Sequence, residues 1–213
     1  FGNGAPGTAV IFQVTGGGGT VDSTAVASDT TGMASTPWTL GTTVGENLLE
    51  ARVEGVDSVQ FIATATSGPP ASIAKVSGDT QSSEVGTLLT SPLIVGIADQ
   101  FGNVVEGAVL EAVVVSGGGT PDSTTPTTNS QGLAQVLWTL GGAAGPQVLE
   151  FRVGVVARAS FTATGQPGPP TTMAKAAGDN QIMGVGTQVA IRPSVLVSDS
   201  FGNPVSGVNV SFT

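Results

Sequence analysis

The 213-residue chain contains neither cysteine nor histidine. The first absence removes disulfides, thiolate nucleophiles and cysteine-ligated metal centres. The second, added to it, removes the usual nucleophile–base pairs of hydrolytic and transfer enzymes. Charge is also scarce, at 10% of residues against roughly 25% in an ordinary soluble domain. Six dispersed basic residues face 15 acidic ones, a net charge of −9. A nucleic-acid backbone or an anionic membrane surface would be repelled by that balance. No apolar run reaches the length of a membrane span, so no membrane insertion is expected of this segment. There is no secretory leader and the first residue is Phe1, so the sequence reads as a processed product or an excerpt.

Glycine is abundant (32 residues), with serine, threonine and valine filling much of the rest. These are poor helix formers and suit short strands joined by tight turns. The strongest signal is self-similarity. Phe-Gly-Asn begins at Phe1, Phe101 and Phe201; Trp-Thr-Leu-Gly begins at Trp38 and Trp138. Gly-Gly-Gly-Thr begins at Gly17 and Gly117, Gly-Pro-Pro at Gly68 and Gly168, and Gly-Asp-x-Gln at Gly78 and Gly178. Every offset is 100 residues, and a gapless slide leaves about 40 of each hundred positions identical. One unit has been duplicated.

The Gly-Pro-Pro segments read as linkers, because proline stiffens the chain and removes a strand donor. They delimit one complete repeat, 69–165. Residues 1–68 form a partial repeat without its first strands, and 166–213 a partial repeat with only its N-terminal strands. This phase predicts either a window on a longer array or partial repeats completed by a neighbouring copy.

Within the complete repeat, strands are expected over 71–76, 93–99, 109–115, 133–140, 147–153 and 157–164, with a short edge strand inside the polar tract 117–129. Alternation places Val95 and Ile97, then Leu110, Ala112 and Val114, on the core face. Ala134, Val136, Trp138 and Leu140 share one parity; so do Leu149, Phe151 and Val153, and Ala159, Phe161 and Ala163. The structural core is therefore expected to hold Trp38, Trp138, Phe61, Phe161, Leu140, Phe151, Phe12 and Phe212. Turns are expected at Gly2 and Asn3, Gly102 and Asn103, and Gly202 and Asn203, where Gly and Asn tolerate positive φ. About seven strands per hundred residues predicts an all-β protein of tandem immunoglobulin-like Greek-key β-sandwich repeats.

The ordered run Gly78-Asp-x-Gln, Asp99-x-Phe-Gly-Asn-x-Val, Gly117-Gly-Gly-Thr, Gly132-x-Ala, Trp138-Thr-Leu-Gly and Phe161-Thr-Ala-Thr resembles the bacterial immunoglobulin-like repeats of the invasin and intimin type. The resemblance covers the chain twice over. It implies an extracellular or bacterial cell-surface protein whose repeats form a stalk, fibre or filament. It carries over no catalytic residue.

Asp99, Asn103, Asp122 and Asn129 offer oxygens for Ca²⁺, as do Asp22, Asp29, Asp199 and Asn203, but turn formation explains them as well. Trp38 and Trp138 could stack a sugar, yet their parity favours core packing. Lys75 and Lys175 could enter an intramolecular amide cross-link, but the closing strand has no asparagine partner, so solvated lysines are expected. Glu50 with Arg52 and Glu150 with Arg152 read as exposed charge pairs. No phosphate loop follows Gly17 or Gly117. The expectation is a non-catalytic structural protein without cofactor, whose partners are adjacent repeats or identical chains. Each repeat should advance such a stalk by roughly 35–45 Å. The alternative is an adhesin-type module holding a receptor or polysaccharide with loops 117–130 and 141–146.

Overall fold

The structure, a computed structural model, describes residues 3–155 and 157–212, which form strands, bridges and turns without a helix. Among them no helix is long and apolar enough to cross a membrane. Two compact units result: Phe1–Ser72 with Ala98–Glu106, and Ile73–Ile97 with Gly107–Thr213. They do not follow the sequence period, because the segment Ala98–Glu106 groups with residues that precede the linker.

The first unit holds β1 (Ala9–Gly16), β2 (Thr20–Val21), β3 (Ala25–Ala27), β4 (Trp38–Thr39), β5 (Gly45–Arg52) and β6 (Val59–Ala65). Four of them form one antiparallel sheet in the order β3-β1-β5-β6, and β2 pairs with β4.

The second unit is richer. Its complete repeat contains β7 (Ser72–Ser77), β8 (Gln81–Glu84), β9 (Leu93–Ala98), β10 (Glu111–Ser116), β11 (Gly119–Pro121), β12 (Leu133–Val136), β13 (Trp138–Leu140), β14 (Gly145–Val153) and β15 (Ala157–Gln166). One sheet runs β10-β14-β15-β8 and the other β12-β9-β7, with β11 paired to β13. From β7 to β10 consecutive strands alternate between the two sheets, while β14 and β15 are neighbours in one sheet, as in an immunoglobulin-like sandwich. Then follow β16 (Thr172–Ala177) and β17 (Ser194–Ser198), an antiparallel pair.

Alternation drives the packing. Along β14 and β15, Leu149, Phe151, Val153, Ala159, Phe161 and Ala163 are buried while the residues between them face outward. The Phe151 and Phe161 rings meet edge to face at 5.4 Å, the arrangement that aromatic quadrupoles favour. From the opposite sheet Leu93, Val95 and Ile97 close the core. Each such side chain, fully buried, contributes about 1.5–3 kcal/mol.

The structure differs from the sequence reading in several places. The expected strand 133–140 is two strands, because at Leu137 both backbone groups leave the ladder. The Leu137 N–H donates to the Asp122 carboxylate at 2.9 Å and the carbonyl accepts from the Asp122 N–H at 2.8 Å. Burial parity still passes unbroken from Val136 to Trp138 and Leu140. The third strand starts at Glu111 rather than 109, since Val109 and Leu110 bond the 126–127 segment instead. β8 has no counterpart among the expected strands; it lies parallel to the end of β15, 82 residues further on, and nothing local in sequence announces such a pairing.

Two expected core residues are not in the core. Phe61 is 48% exposed and Phe212 67% exposed. Phe161, the counterpart of Phe61, is fully buried because residues 72–97 cover it, and residues 1–68 contain no equivalent of that segment. Phe212 lies in the third copy, of which β16 and β17 are the only named strands. Trp38 is half-buried for the same reason as Phe61, whereas Phe12 and Trp138 are buried.

A matched pair of substitutions tests this. In a Trp38→Phe background, where Trp138 is the sole indole, Phe161→Ala should cost about 3–5 kcal/mol in urea unfolding followed by Trp138 fluorescence. Phe61→Ala should leave that transition unmoved. Equal shifts from the two would contradict the burial difference.

Candidate functional site

The densest side-chain hydrogen bonding among the described residues lies at the linkers. The Asp-x-Phe-Gly-Asn turn that follows β9, and again β17, begins with a carboxylate that is almost fully buried at both Asp99 and Asp199. In the first unit Asp99 Oδ1 accepts the backbone N–H groups of Phe101 and Asn103, each at 2.9 Å. Its Oδ2 accepts the Gly68 N–H at 2.9 Å and the Asn103 Nδ2–H at 2.9 Å. Four donors thus fill the acceptor capacity of one carboxylate. The turn closes through Gly102, whose N–H donates to the Asp99 carbonyl and whose φ of 87° suits glycine.

Asn103 then faces away from the turn. Its Nδ2 also donates to the Thr42 carbonyl at 2.8 Å, and its Oδ1 accepts the Val44 N–H at 3.2 Å. One side-chain amide therefore holds the backbone of the preceding loop as a strand neighbour would. That loop is itself held from within. Asn47, fully buried, accepts the Gly41 N–H at 2.9 Å and donates to the Gly45 carbonyl at 3.2 Å.

The second unit contains the same clamp, displaced by 100 residues. Asp199 accepts from Phe201 (2.9 Å), Asn203 N–H (2.8 Å), Asn203 Nδ2 (2.8 Å) and Gly168 (3.0 Å). Asn203 donates to the Gly142 carbonyl at 2.8 Å and accepts the Ala144 N–H at 2.9 Å. Gln147 takes the place of Asn47: it accepts from Gly141 at 2.8 Å and donates to the carbonyls of Gly141 (3.2 Å) and Ala143 (2.9 Å). Phe201 lies across Gly142 and Gly86, where a Cβ would sit 2.4 and 2.7 Å from ring atoms. Glycine at those two positions makes room for the ring.

The electrostatics follow from the donors. The Asn103 amide, together with the Gly68, Asn103 and Phe101 N–H groups, lowers the Asp99 pKa to about 2 against the opposing effect of burial. For Asp199 burial is the largest influence and pushes upward, yet the Asn203 amide and the three backbone donors still bring it to about 2. Hydrogen bonding to the charged form is the cause in both.

The calcium candidates are not brought together as a ligand cage. Asp99 and Asn103 meet, but each oxygen of Asp99 is taken by N–H donors. Asp122 bonds Leu137, and Asn129 Oδ1 caps its own turn through Gln131 and Leu133. Asp29 caps the equivalent turn through Thr31 and Met33. Among the described residues no group of three Asp or Glu side chains could hold a metal ion. Of the expected turn residues, Gly102, Asn103, Gly202 and Asn203 belong to the clamps, Asn3 is exposed, and Gly2 lies outside the described residues.

Lys75 is not simply solvated: its Nζ pairs with Asp79 at 2.5 Å and lies 5.6 Å from the Phe161 ring centre. Lys175 pairs with Asp179 in the same way. Glu150 bridges Arg152 at 2.6 Å and Arg158 at 3.1 Å on the outer face of β14 and β15.

Sequence reasoning saw the turn residues but missed Asn47 and Gln147, and missed Gly68 and Gly168 as donors. A signal was present: 47 and 147 stand at core-facing parity in otherwise apolar strands, where a polar side chain needs a partner.

No family model and no curated protein matches the chain. Solved structures do. The Escherichia coli adhesin FdeC is similar over 96% of this chain and 67% of its own, with a TM-score of 0.62 and 21% identity. Invasin, a bacterial integrin-binding protein, is similar over 96% of this chain and 42% of its own, with a TM-score of 0.48 and 19% identity. Domains 4–9 of the surface layer protein SbsC cover 95% of this chain and 29% of their own, with a TM-score of 0.42 and 19% identity. The fold shared with FdeC is that of a tandem immunoglobulin-like repeat protein, the class that the invasin/intimin-type resemblance implies.

Two outcomes test the clamp. Both folded pKa values, about 2, lie below the unfolded value of about 3.9, so the carboxylates stabilise the fold fully above about pH 4 and progressively less as pH falls through 2. The amide resonances of Gly68 and Gly168 should titrate with midpoints near 2; midpoints near 4 would show an unclamped carboxylate. Gln147→Ala, which strands buried backbone groups of the 141–143 loop, should cost about 1–3 kcal/mol in urea unfolding.

Proposed function

We propose that this chain is a non-catalytic spacer segment of a bacterial extracellular or cell-surface protein, in which the Asp–Asn clamp ties each linker glycine to the turn and the loop beside it. The observation that carries the reading is the repetition of the whole clamp, with the same donors and acceptors, at both Gly-Pro-Pro linkers. Proline stiffens the linker itself, but it makes no contact that fixes the path of the chain on either side. Here the linker glycine, the Asp-x-Phe-Gly-Asn turn and the preceding loop converge on one carboxylate and one amide, which favours a single path of the chain through the linker.

The fold agrees with this. Its likeness to FdeC, described as an adhesin, supports a surface location and a role in displaying or spacing a binding element. A module gripping its ligand through loops 117–130 and 141–146 is less well supported: Gly142 and Ala144 of the second loop already bind Asn203. Those loops also lack the aromatic and arginine side chains on which binding energy usually concentrates.

The chain has no cysteine, which makes a spectroscopic test clean. Spin labels at Glu111→Cys in the complete repeat and Ala177→Cys beyond the second linker should give one narrow distance distribution by double electron–electron resonance. Asn203→Ala should broaden it several-fold without unfolding either side. A distribution already broad in the parent would sink the spacer reading.

A further inference from the structure

An early segment of the complete repeat and its last strand lie side by side and run the same way. β8 pairs in parallel with the end of β15 in one unbroken register. Gln81 stands beside Ala163, Ser82 beside Thr164, Ser83 beside Gly165 and Glu84 beside Gln166. The contact continues past both ends of that ladder. The Thr80 N–H donates to the Thr162 carbonyl and the Val85 N–H to the Gln166 carbonyl, each at 2.9 Å. Side chains add to it. Asp79 Oδ1 accepts the Thr162 N–H at 2.9 Å, and Lys75 Nζ donates to the Ser160 carbonyl at 3.1 Å. Ser82 Oγ donates to the Thr164 carbonyl at 3.2 Å and accepts from Gln166 Nε2 at 3.1 Å.

Strand direction decides how this contact meets tension. The chain enters the repeat on the N-terminal side of β8 and leaves it on the C-terminal side of β15. A pull along the chain therefore drags the two parallel strands in opposite directions along their common axis. The evenly spaced bonds of a parallel ladder run between the strands, so such a pull strains them together. One hydrogen bond adds little net stability. Bonds met singly give way at low force, whereas bonds that must break together resist. Behind the ladder Val85 and Ala163 are buried beside Phe161, so sliding also withdraws side chains from the core.

We propose that the complete repeat is a force-bearing element, in which the β8–β15 contact is a shear clamp against tension applied through the two Gly-Pro-Pro linkers. β7, in the other sheet beside β9, takes the load first and passes it to β8. The sandwich then stays closed until β8 slides along β15. This rests on the spacer reading for the direction of load, since a spacer is pulled through its linkers.

Optical tweezers on the full chain test it, because introduced cysteines are its only thiols. Handles at Ser72→Cys and Pro170→Cys load the repeat through its ends and shear the ladder. Handles at Leu88→Cys and Pro170→Cys pull the same two strands from one end and unzip it. At equal loading rate the first pair should rupture at a force several-fold higher than the second. The length released should approach that of residues 72–170 extended at about 3.3–3.6 Å per residue. Asp79→Ala removes the bond to Thr162 at the far end of the ladder. It should lower the shearing force and leave the unzipping force, which is set at Glu84 and Gln166. Equal forces in the two geometries overturn the proposal. So does an Asp79→Ala chain whose two forces change alike or not at all. The comparison of geometries needs no change within the ladder, so it stands even where Asp79→Ala fails to fold. The handles impose the load themselves, so failure here leaves the spin-label distances, and the spacer reading with them, untouched.

Discussion

A buried carboxylate that accepts four hydrogen bonds organises each linker of this protein. Asp99 and Asp199 are acceptors only, and every donor that reaches them is either the backbone of their own turn, the asparagine four residues on, or the linker glycine. Because a buried charge without partners is expensive, the turn, the linker and the asparagine are obliged to adopt one arrangement together. The orientation of Asn103 and Asn203 is a consequence, and their grip on the preceding loop follows from it. The loop is ready to be gripped because Asn47 and Gln147 have already shaped it from inside. This chain of dependence explains why Ala98–Glu106 groups with residues across the linker rather than with its neighbours in sequence.

The sandwich itself rests on a more ordinary constraint, the mutual covering of two apolar sheet faces. The repeat makes the point within one molecule. Phe61 and Phe161 occupy the same position of the same motif, Phe-x-Ala-Thr, on strands of the same register with β5 and β14. One is buried and the other half-exposed, and the difference lies in whether residues of the 72–97 type lie over them. Burial is thus a property of the pair of layers and not of the residue that is buried.

Much of the fold was legible. Alternation identified the inward faces of β9, β12, β14 and β15, and the recurring motifs gave the 100-residue period. The inward-pointing Asn47 and Gln147 stood out against their apolar neighbours, but nothing nearby in sequence named their partners. One donor to each of Asp99 and Asp199 lies 31 residues away, at Gly68 and Gly168, and the loop carbonyls that accept from Asn103 and Asn203 lie 61 residues away. The parallel pairing of β8 with β15 spans 82 residues. Contacts at such separations leave no periodicity and no turn signature to read.

The sequence alone determined the repeat, the strand faces, the turn chemistry and the absence of the side chains that thiol and histidine chemistry need. These follow from local sterics and from the two-residue period of a strand, which any segment expresses by itself. Only the tertiary structure decided which apolar faces are covered, that a turn aspartate is a clamp rather than a surface charge, and that its asparagine holds the loop before it. Each of these depends on which groups fold together in space to share a small number of buried hydrogen bonds, and that sharing exists only once the chain is assembled.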